Sequence, residues 1–416
     1  MIYTLNLSDN LASRLTDYIL AHISDPMQIA QTRVILPTKR ACRNVKEAFV
    51  RKSEHTPLLL PQLTALYEME DLSVALPEAI SSAERLFLLA RLCSAKPNID
   101  TFDKAIKIAV GLAQILDEFY LYEASLDKLE EIVPNRELAI HWNESLTFLE
   151  IIRKEWPKIL KERGKIDVAD RRIRLINQLT QKVSANTFQS PIILAGFDGA
   201  LPAVNRLIKA LSSKNNALIF LDGLNNKLTD EDWENIHANH YQQAFKNLLR
   251  ALDISATKIP LLSTETTPQE ALIHEALKPA EQTEEWRHTN LTQDVLTNVH
   301  RIDCENPDEE ALAIATVMRE VLETPEKTAA LVTTDRNLAR RVILNMKRWQ
   351  IELDDSAGTP LHHTEIGIYL SLLADYALHP DDGKRMLALL KHPLTADGLF
   401  PAQLRQQIRH AEKEAR

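Results

Sequence analysis

The sequence predicts a helix-rich α/β protein built from two related lobes, with an all-helical segment inserted in the first. Three observations predict it. A short apolar run, a polar turn and a basic amphipathic helix occur at residues 329–348, and the same order occurs at 34–50. Residues 80–179 carry apolar positions at three and four spacing with no strand pattern. Only 9 glycines and 6% aromatics stand beside long Leu/Ala/Glu/Lys stretches, which disfavours an all-β chain. At 416 residues, two to three domains are expected.

Taken in order, residues 1–7 predict a strand, and Ser8 is placed to cap a helix over 9–23. A phosphate loop would follow this first strand, yet the stretch from Asn6 to Leu11 holds neither glycine nor lysine. No GxxxxGK[ST] and no GxGxxG occurs anywhere in the chain. Val34, Ile35 and Leu36 form the second expected strand, Pro37 and Thr38 its turn, and Lys39 to Val50 a helix. Between Arg33 and Lys52 stand seven basic residues and one acid, Glu47. Two readings apply: a helix start whose Thr38 hydroxyl, Lys39, Arg40 and Arg43 meet phosphates, or a solvated basic face. Residues 58–60 predict a short third strand between prolines.

Helices are expected over 82–93, 101–122, 125–132, 136–163 and 168–183, with Trp142, Phe148 and Trp156 in their core. Nine basic and four acidic residues lie between Arg153 and Arg174, again a solvated face or a backbone-binding patch. The α/β pattern returns with strands at 192–197 and 217–221 and a helix at 202–211. Asp198 and Asp222 follow those strands, where a metal-binding or general-base carboxylate often lies. Each precedes a glycine and neither has a second acid, so turn chemistry leads.

Residues 241–252 predict an amphipathic helix and 263–268 a polar linker. A strand at 299–304 precedes a helix at 308–322 entered through Asn306 and Pro307. Then come the strand 329–332, the turn Thr333, Thr334, Asp335, a basic helix, and a strand at 351–353 leading to Asp355. Thr38 and Arg40 match Thr334 and Arg336 at one common offset; short βα units also look alike by chance. Helices at 365–377 and 384–390 precede a polar helix at 401–416 with little apolar face, so the second lobe is expected to be incomplete. The adjacent His362 and His363 point to different sides and lack a partner at metal-ligand spacing.

The net charge of −9 gives no global attraction to nucleic acid, so DNA contact would rest on local patches. Cys42, Cys93 and Cys304 stand apart, with neither metal spacing nor a disulfide framework. No run approaches the ~18 apolar residues of a membrane helix. Residues 1–20 lack an apolar signal core, and a cytoplasmic location is expected.

Several stretches together resemble a known family: VILPTKRACRNVKEAF, LLLPQL, AERLFLLARL, HWNESLTFLEIIRKEWPKILKERGKID, IILAGFDGALPAVNRLI, EEALAIATVMREVLETPEKTAALVTTDRNLARRV, IELDDSAGTPL and MLALLKHPL. In this order they resemble the N-terminal part of alphaproteobacterial AddB, a subunit of the AddAB helicase–nuclease that processes double-strand DNA ends for recombination. The resemblance implies two RecA-like, superfamily-1 helicase-like lobes. The first comprises residues 1–76 and 190–298, the inserted helical subdomain 77–189, and the truncated second lobe 299–416. It implies DNA-backbone contacts at Thr38, Lys39, Arg40 and Arg43 and at Thr334, Asp335 and Arg336, and pairing with an AddA-like motor subunit. Without a phosphate loop, no ATPase residue carries over, and ATP with magnesium would belong to the motor partner. The family's nuclease ligands and iron–sulfur cysteines have no counterpart here, so no catalytic residue, cofactor or metal is expected in the chain. A non-motor guide subunit is thus expected; an active ATP-dependent helicase subunit, a decayed fragment, or an α/β enzyme using Asp198, Asp222 or Asp355 are the alternatives.

Overall fold

A computed structural model describes residues 1–53, 57–68, 76–96, 99–125, 149–262, 267–289, 293–396 and 398–415. The chain divides into two compact units, Met1–Asn298 and Val299–Arg416. The first is a helix-rich α/β unit around a five-stranded sheet whose pairs are all parallel. Its strands are β1 (Ile2–Leu5), β2 (Arg33–Leu36), β3 (Gln62–Ala65), β4 (Ile192–Ala195) and β5 (Ala217–Asp222), in the order β1-β5-β4-β2-β3.

Near-continuous apolar strands follow from burial on both faces. Val34, Leu36, Ile193, Ala195 and Phe220 point to one face, where Leu15 and Ile19 of α1 (Leu11–His22) and Val45, Ala48 and Phe49 of α3 (Lys39–Lys52) cover them. Between these helices α2 (Pro26–Gln31) adds Ile29. Ile35, Ile192, Leu194, Ile219 and Leu221 point to the other face. There they meet α7 (Val168–Ser184), α8 (Pro202–Ser212), α9 (Asp230–Asn235) and α10 (Gln243–Leu252). The two-residue alternation thus sorts each strand between two cores.

The third strand begins at Gln62, not at residue 58. Pro61 has no N–H to give a ladder, and the first ladder donor is the Gln62 N–H, which reaches Thr32 O at 2.9 Å. Leu58 and Leu60 instead pack against the α1/α3 core. Ser8 is not a cap: Asn10 holds that place and accepts the Ser13 N–H.

A separate helical core holds α4 (Ser82–Ser94), α5 (Phe102–Leu121), the π-helical turn Ile151–Glu155 and α6 (Trp156–Arg163). Trp156 is fully buried in it; Trp142 and Phe148 lie outside the described residues, as do residues 126–132 and 136–148 of the helices expected over 125–132 and 136–163. Buried Asp167 organises this segment. It accepts the Trp156 Nε1–H at 3.1 Å and the Ala169 N–H at 3.1 Å, and lies 3.0 Å from Arg85 Nε. Helix α5 packs against α7, and Arg206 of α8 donates to Glu123 at 2.7 Å and to Asn177 at 2.9 Å.

In the second unit, α12 (Pro307–Leu322) packs on α13 (Arg336–Lys347) through Ala311, Ala315, Val342 and Met346. The strands expected at 299–304, 329–332 and 351–353 do not form: all three stretches lack ladder pairing. A strand is held by the neighbour that takes its N–H and C=O groups, and among the described residues these have none. Their apolar side chains are used differently, with Leu331, Ile351 and Leu353 packed against the helix pair while Val332 is 94% exposed. Helices α14 (Glu365–Leu378), α15 (Gly383–Leu390) and α16 (Pro401–Ala415) follow. Helix α16 does have an apolar face, since Leu404 and Ile408 are buried.

Candidate nucleic-acid interface

Ligands of parallel sheets bind beyond the carboxyl ends of the strands, where connections depart to opposite faces. Here β2 and β4 are neighbours. The helix after β2 covers one face and the helix after β4 covers the other. Their carboxyl ends meet closely: a Cβ on Gly196 would lie 3.5 Å from Pro37 Cδ and 3.0 Å from Leu11 Cδ2.

Thr38 ends the β2 turn with extended backbone and caps α3, its Oγ accepting the Ala41 N–H at 3.2 Å. The helix is then fixed in rotation by Val45, Ala48 and Phe49 in the core, which leaves Lys39, Arg40, Arg43, Lys46 and Arg51 exposed. Lys52, half-buried at the end of the helix, is ion-paired with Asp17 of α1. Thr38, Lys39, Arg40 and Arg43 are therefore brought together at one helix start, on the solvent side of the sheet edge.

Two residues that periodicity did not single out adjoin this place. Tyr67, just past β3, donates its N–H to Pro37 O at 3.2 Å, and its ring meets Phe197 edge-on at 5.8 Å. The Arg172 guanidinium of α7 lies 5.9 Å from the Tyr67 ring centre and makes no ion pair among the described residues. Burial first, and then the Asp198 charge, push the Tyr67 hydroxyl up to about 12. The basic run between Arg153 and Arg174 contained the signal for Arg172, but only the fold selects it.

Asp198 is a turn residue: its carboxylate accepts the Ala200 N–H at 3.0 Å. Gly199 follows at φ +82°, where a Cβ would stand 2.5 Å from Leu248 Cβ. Asp222 ends β5 and pairs in register with Leu5. Burial and then the neighbouring Asp9 raise its carboxyl. Ser8, after β1, is held by Glu270 at the start of α11 (Pro268–Ala276).

In the second unit, Asp335 caps α13 and accepts the Asn337 N–H at 2.8 Å, while Thr334 is exposed in the turn before it. Arg336 is engaged with Asp355 through two hydrogen bonds, 3.1 and 2.6 Å, and the pair holds Asp355 down at about 2. The equal-offset match of Thr38 with Thr334 fails by one residue, because Thr38 caps its helix and Thr334 precedes the cap. By position in the helix Lys39, not Arg40, corresponds to Arg336.

Of the three aspartates weighed for an enzyme, Asp198 and Asp222 belong to the first unit and Asp355 to the second. In the second unit a cavity of about 1180 Å³ is lined by Leu378, Pro380, Met386, Leu387, Leu390 and Ile408, and neither Thr334, Asp335, Arg336 nor Asp355 lines it. Among the described residues no group of three or more His, Cys, Asp or Glu side chains is placed to hold a metal, and no helix is long and apolar enough to cross a membrane. No protein-family model matches the chain, and no curated protein matches it.

Proposed function

We propose that the chain is a helicase-like, non-motor subunit of a DNA double-strand-end processing complex acting in recombinational repair in the cytoplasm. Residues 1–76 and 190–298 form a RecA-like lobe with the inserted helical subdomain 77–189, and 299–416 belong to a second lobe. The chain holds the DNA backbone and pairs with an AddA-like motor subunit, which supplies ATP hydrolysis. The observation that carries this is the unequal carboxyl edge of the sheet. The β2 end presents Thr38, Lys39, Arg40 and Arg43 at an exposed helix start. The β1 end, where a motor binds nucleotide, presents Asp9, Asp222 and the buried Glu270. Phosphate is favoured at the first place and repelled at the second. Lys and Arg there neutralise backbone charge and carry little base information. In the second unit the proposed backbone contacts are Thr334 and Asp335, and Arg336 joins them only by leaving Asp355.

The test is co-purification of this chain with an AddA-like motor subunit, followed by DNA-end binding at increasing salt. Each neutralised phosphate contributes about 0.9 to the logarithmic salt slope on duplex DNA, so Lys39→Ala with Arg40→Ala flattens the slope by about 1.8. An unchanged slope removes both residues from the footprint, and failure to form the complex removes the subunit assignment.

A further inference from the structure

The loop after β1 is closed from within the chain. Glu270 is 1% exposed, and its Oε1 accepts both the Ser8 N–H and the Ser8 hydroxyl at 2.8 Å. Its Oε2 accepts the Thr267 N–H at 3.2 Å, while Thr267 Oγ accepts the Glu270 N–H at 3.3 Å. The Thr267 exchange is an ordinary capping box, which uses one carboxylate oxygen. The second oxygen has a different task, because it takes two donors from a loop 262 residues away in sequence. In nucleotide-binding sheets the loop after the first strand turns its donors toward a phosphate. Here a carboxylate, an anion of similar hydrogen-bonding chemistry, receives them. Asp9 closes the loop further, accepting the Asn6 N–H at 3.1 Å and pairing with Arg14 at 2.6 Å.

We propose that Glu270 is a built-in substitute for phosphate: it occupies the anion position of the β1–α1 loop, fastens α11 to the sheet edge, and keeps nucleotide out of this lobe. This deepens the non-motor reading but does not rest on DNA binding, so the two can fail separately. Removing the carboxylate leaves the Ser8 N–H, the Ser8 hydroxyl and the Thr267 N–H facing an anion-sized space, which a small carboxylate or inorganic phosphate can fill.

The experiment measures thermal unfolding of the full chain in chloride, acetate and inorganic phosphate at matched ionic strength. Glu270→Ala lowers Tm, and acetate or phosphate raises the Tm of that variant by more than the general salt effect each has on the unsubstituted chain. Equal shifts in variant and parent overturn the proposal, as does saturable Mg-ATP binding by the parent that Ser8→Ala abolishes. Should Glu270→Ala not fold, Glu270→Gln, Ser8→Ala and their combination replace it. The proposal requires the combined Tm loss to be smaller than the sum, and strict additivity overturns it. DNA affinity of Glu270→Ala at physiological salt stays at the parental value, which separates this test from that of Lys39 and Arg40.

Discussion

Replacing Asp167 tests the physical account of the helical segment most sharply. Its carboxylate is fully buried and serves three groups: the Ala169 N–H as helix cap, the Trp156 indole N–H, and the Arg85 guanidinium. The Arg85 Nε is close enough for an ion pair but not aligned for a hydrogen bond, whereas its other nitrogens reach Asp117 at 2.8 Å and Ala113 O at 3.1 Å. Arg85 thus keeps a carboxylate and a carbonyl when Asp167 is lost. Asp167→Ala then costs about 1 kcal/mol for the cap. Stranding the buried indole N–H adds about 1–3 kcal/mol, for a total of about 2–4 kcal/mol. Asp167→Asn keeps one acceptor and turns an NH₂ toward the other donor, so it costs about 2 kcal/mol. Trp156→Phe removes that donor, and the double variant Asp167→Asn with Trp156→Phe falls short of additivity by about 1 kcal/mol. Native-state hydrogen exchange on α4 and α7 reads these losses within the segment, which matters because a chain with two units need not unfold in one step. Opening free energies that drop by less than ~1 kcal/mol in Asp167→Ala would refute the account. The pH dependence has a definite sign. Burial raises the Asp167 carboxyl above 3.8 more than Arg85 lowers it, so its contribution is fully present below 3.8 and is lost as pH rises through the raised value.

The Arg336–Asp355 pair has the opposite sign. Arg336 holds Asp355 at about 2, so the pairing persists above 3.8 and is lost as pH falls through about 2. The Asp355 carboxyl signal in NMR should titrate near 2, and Arg336→Ala should return it toward 3.8; a parental midpoint near 4 sinks the pair. Gly199→Ala should cost about 2–4 kcal/mol, combining a left-handed backbone with a collision against Leu248. Gly164→Ala, also at positive φ but with open space around it, should cost about 1–2 kcal/mol; equal losses in thermal melts would remove the collision term.

Where pattern and packing agreed, elements were legible. The strands at β2, β4 and β5 appeared as apolar runs because both faces of the sheet are covered. Helix α12 was marked by Asn306, whose side chain accepts the Asp308 and Glu309 N–H groups. The apolar runs around Leu331 and Ile351 looked the same as strands, but composition cannot say whether a neighbour will supply the ladder; here helices took their side chains. The basic face of α3 was visible in spacing. Spacing does not show which basic groups a carboxylate takes: Arg336 is engaged by Asp355, 19 residues further on. Glu270 carried a local signal, Thr267 three residues before an acid, which predicts the capping box. Its burial and its grip on Ser8 are products of the fold alone.

The acidic composition of the chain does not prevent a phosphate-binding edge, because the opposing charges are kept apart. Between the ends of β1 and β2 lie β5 and β4, three strand intervals. At ~4.8 Å per interval this separates the carboxylates at β1 from the cations at β2 by about 14 Å. Exposed charges that far apart are beyond the ~8 Å screening length of physiological salt, so Asp9 and Asp222 leave the attraction at Lys39, Arg40 and Arg43 largely intact. At ~0.01 M salt the screening length grows to ~30 Å, and the acidic end then opposes a phosphate chain across the whole edge. Asp9→Asn with Asp222→Asn should therefore strengthen DNA binding at low salt and leave it nearly unchanged at physiological salt. The same gain at both salts would mean that DNA lies directly over the β1 end, and the division of the edge would be wrong.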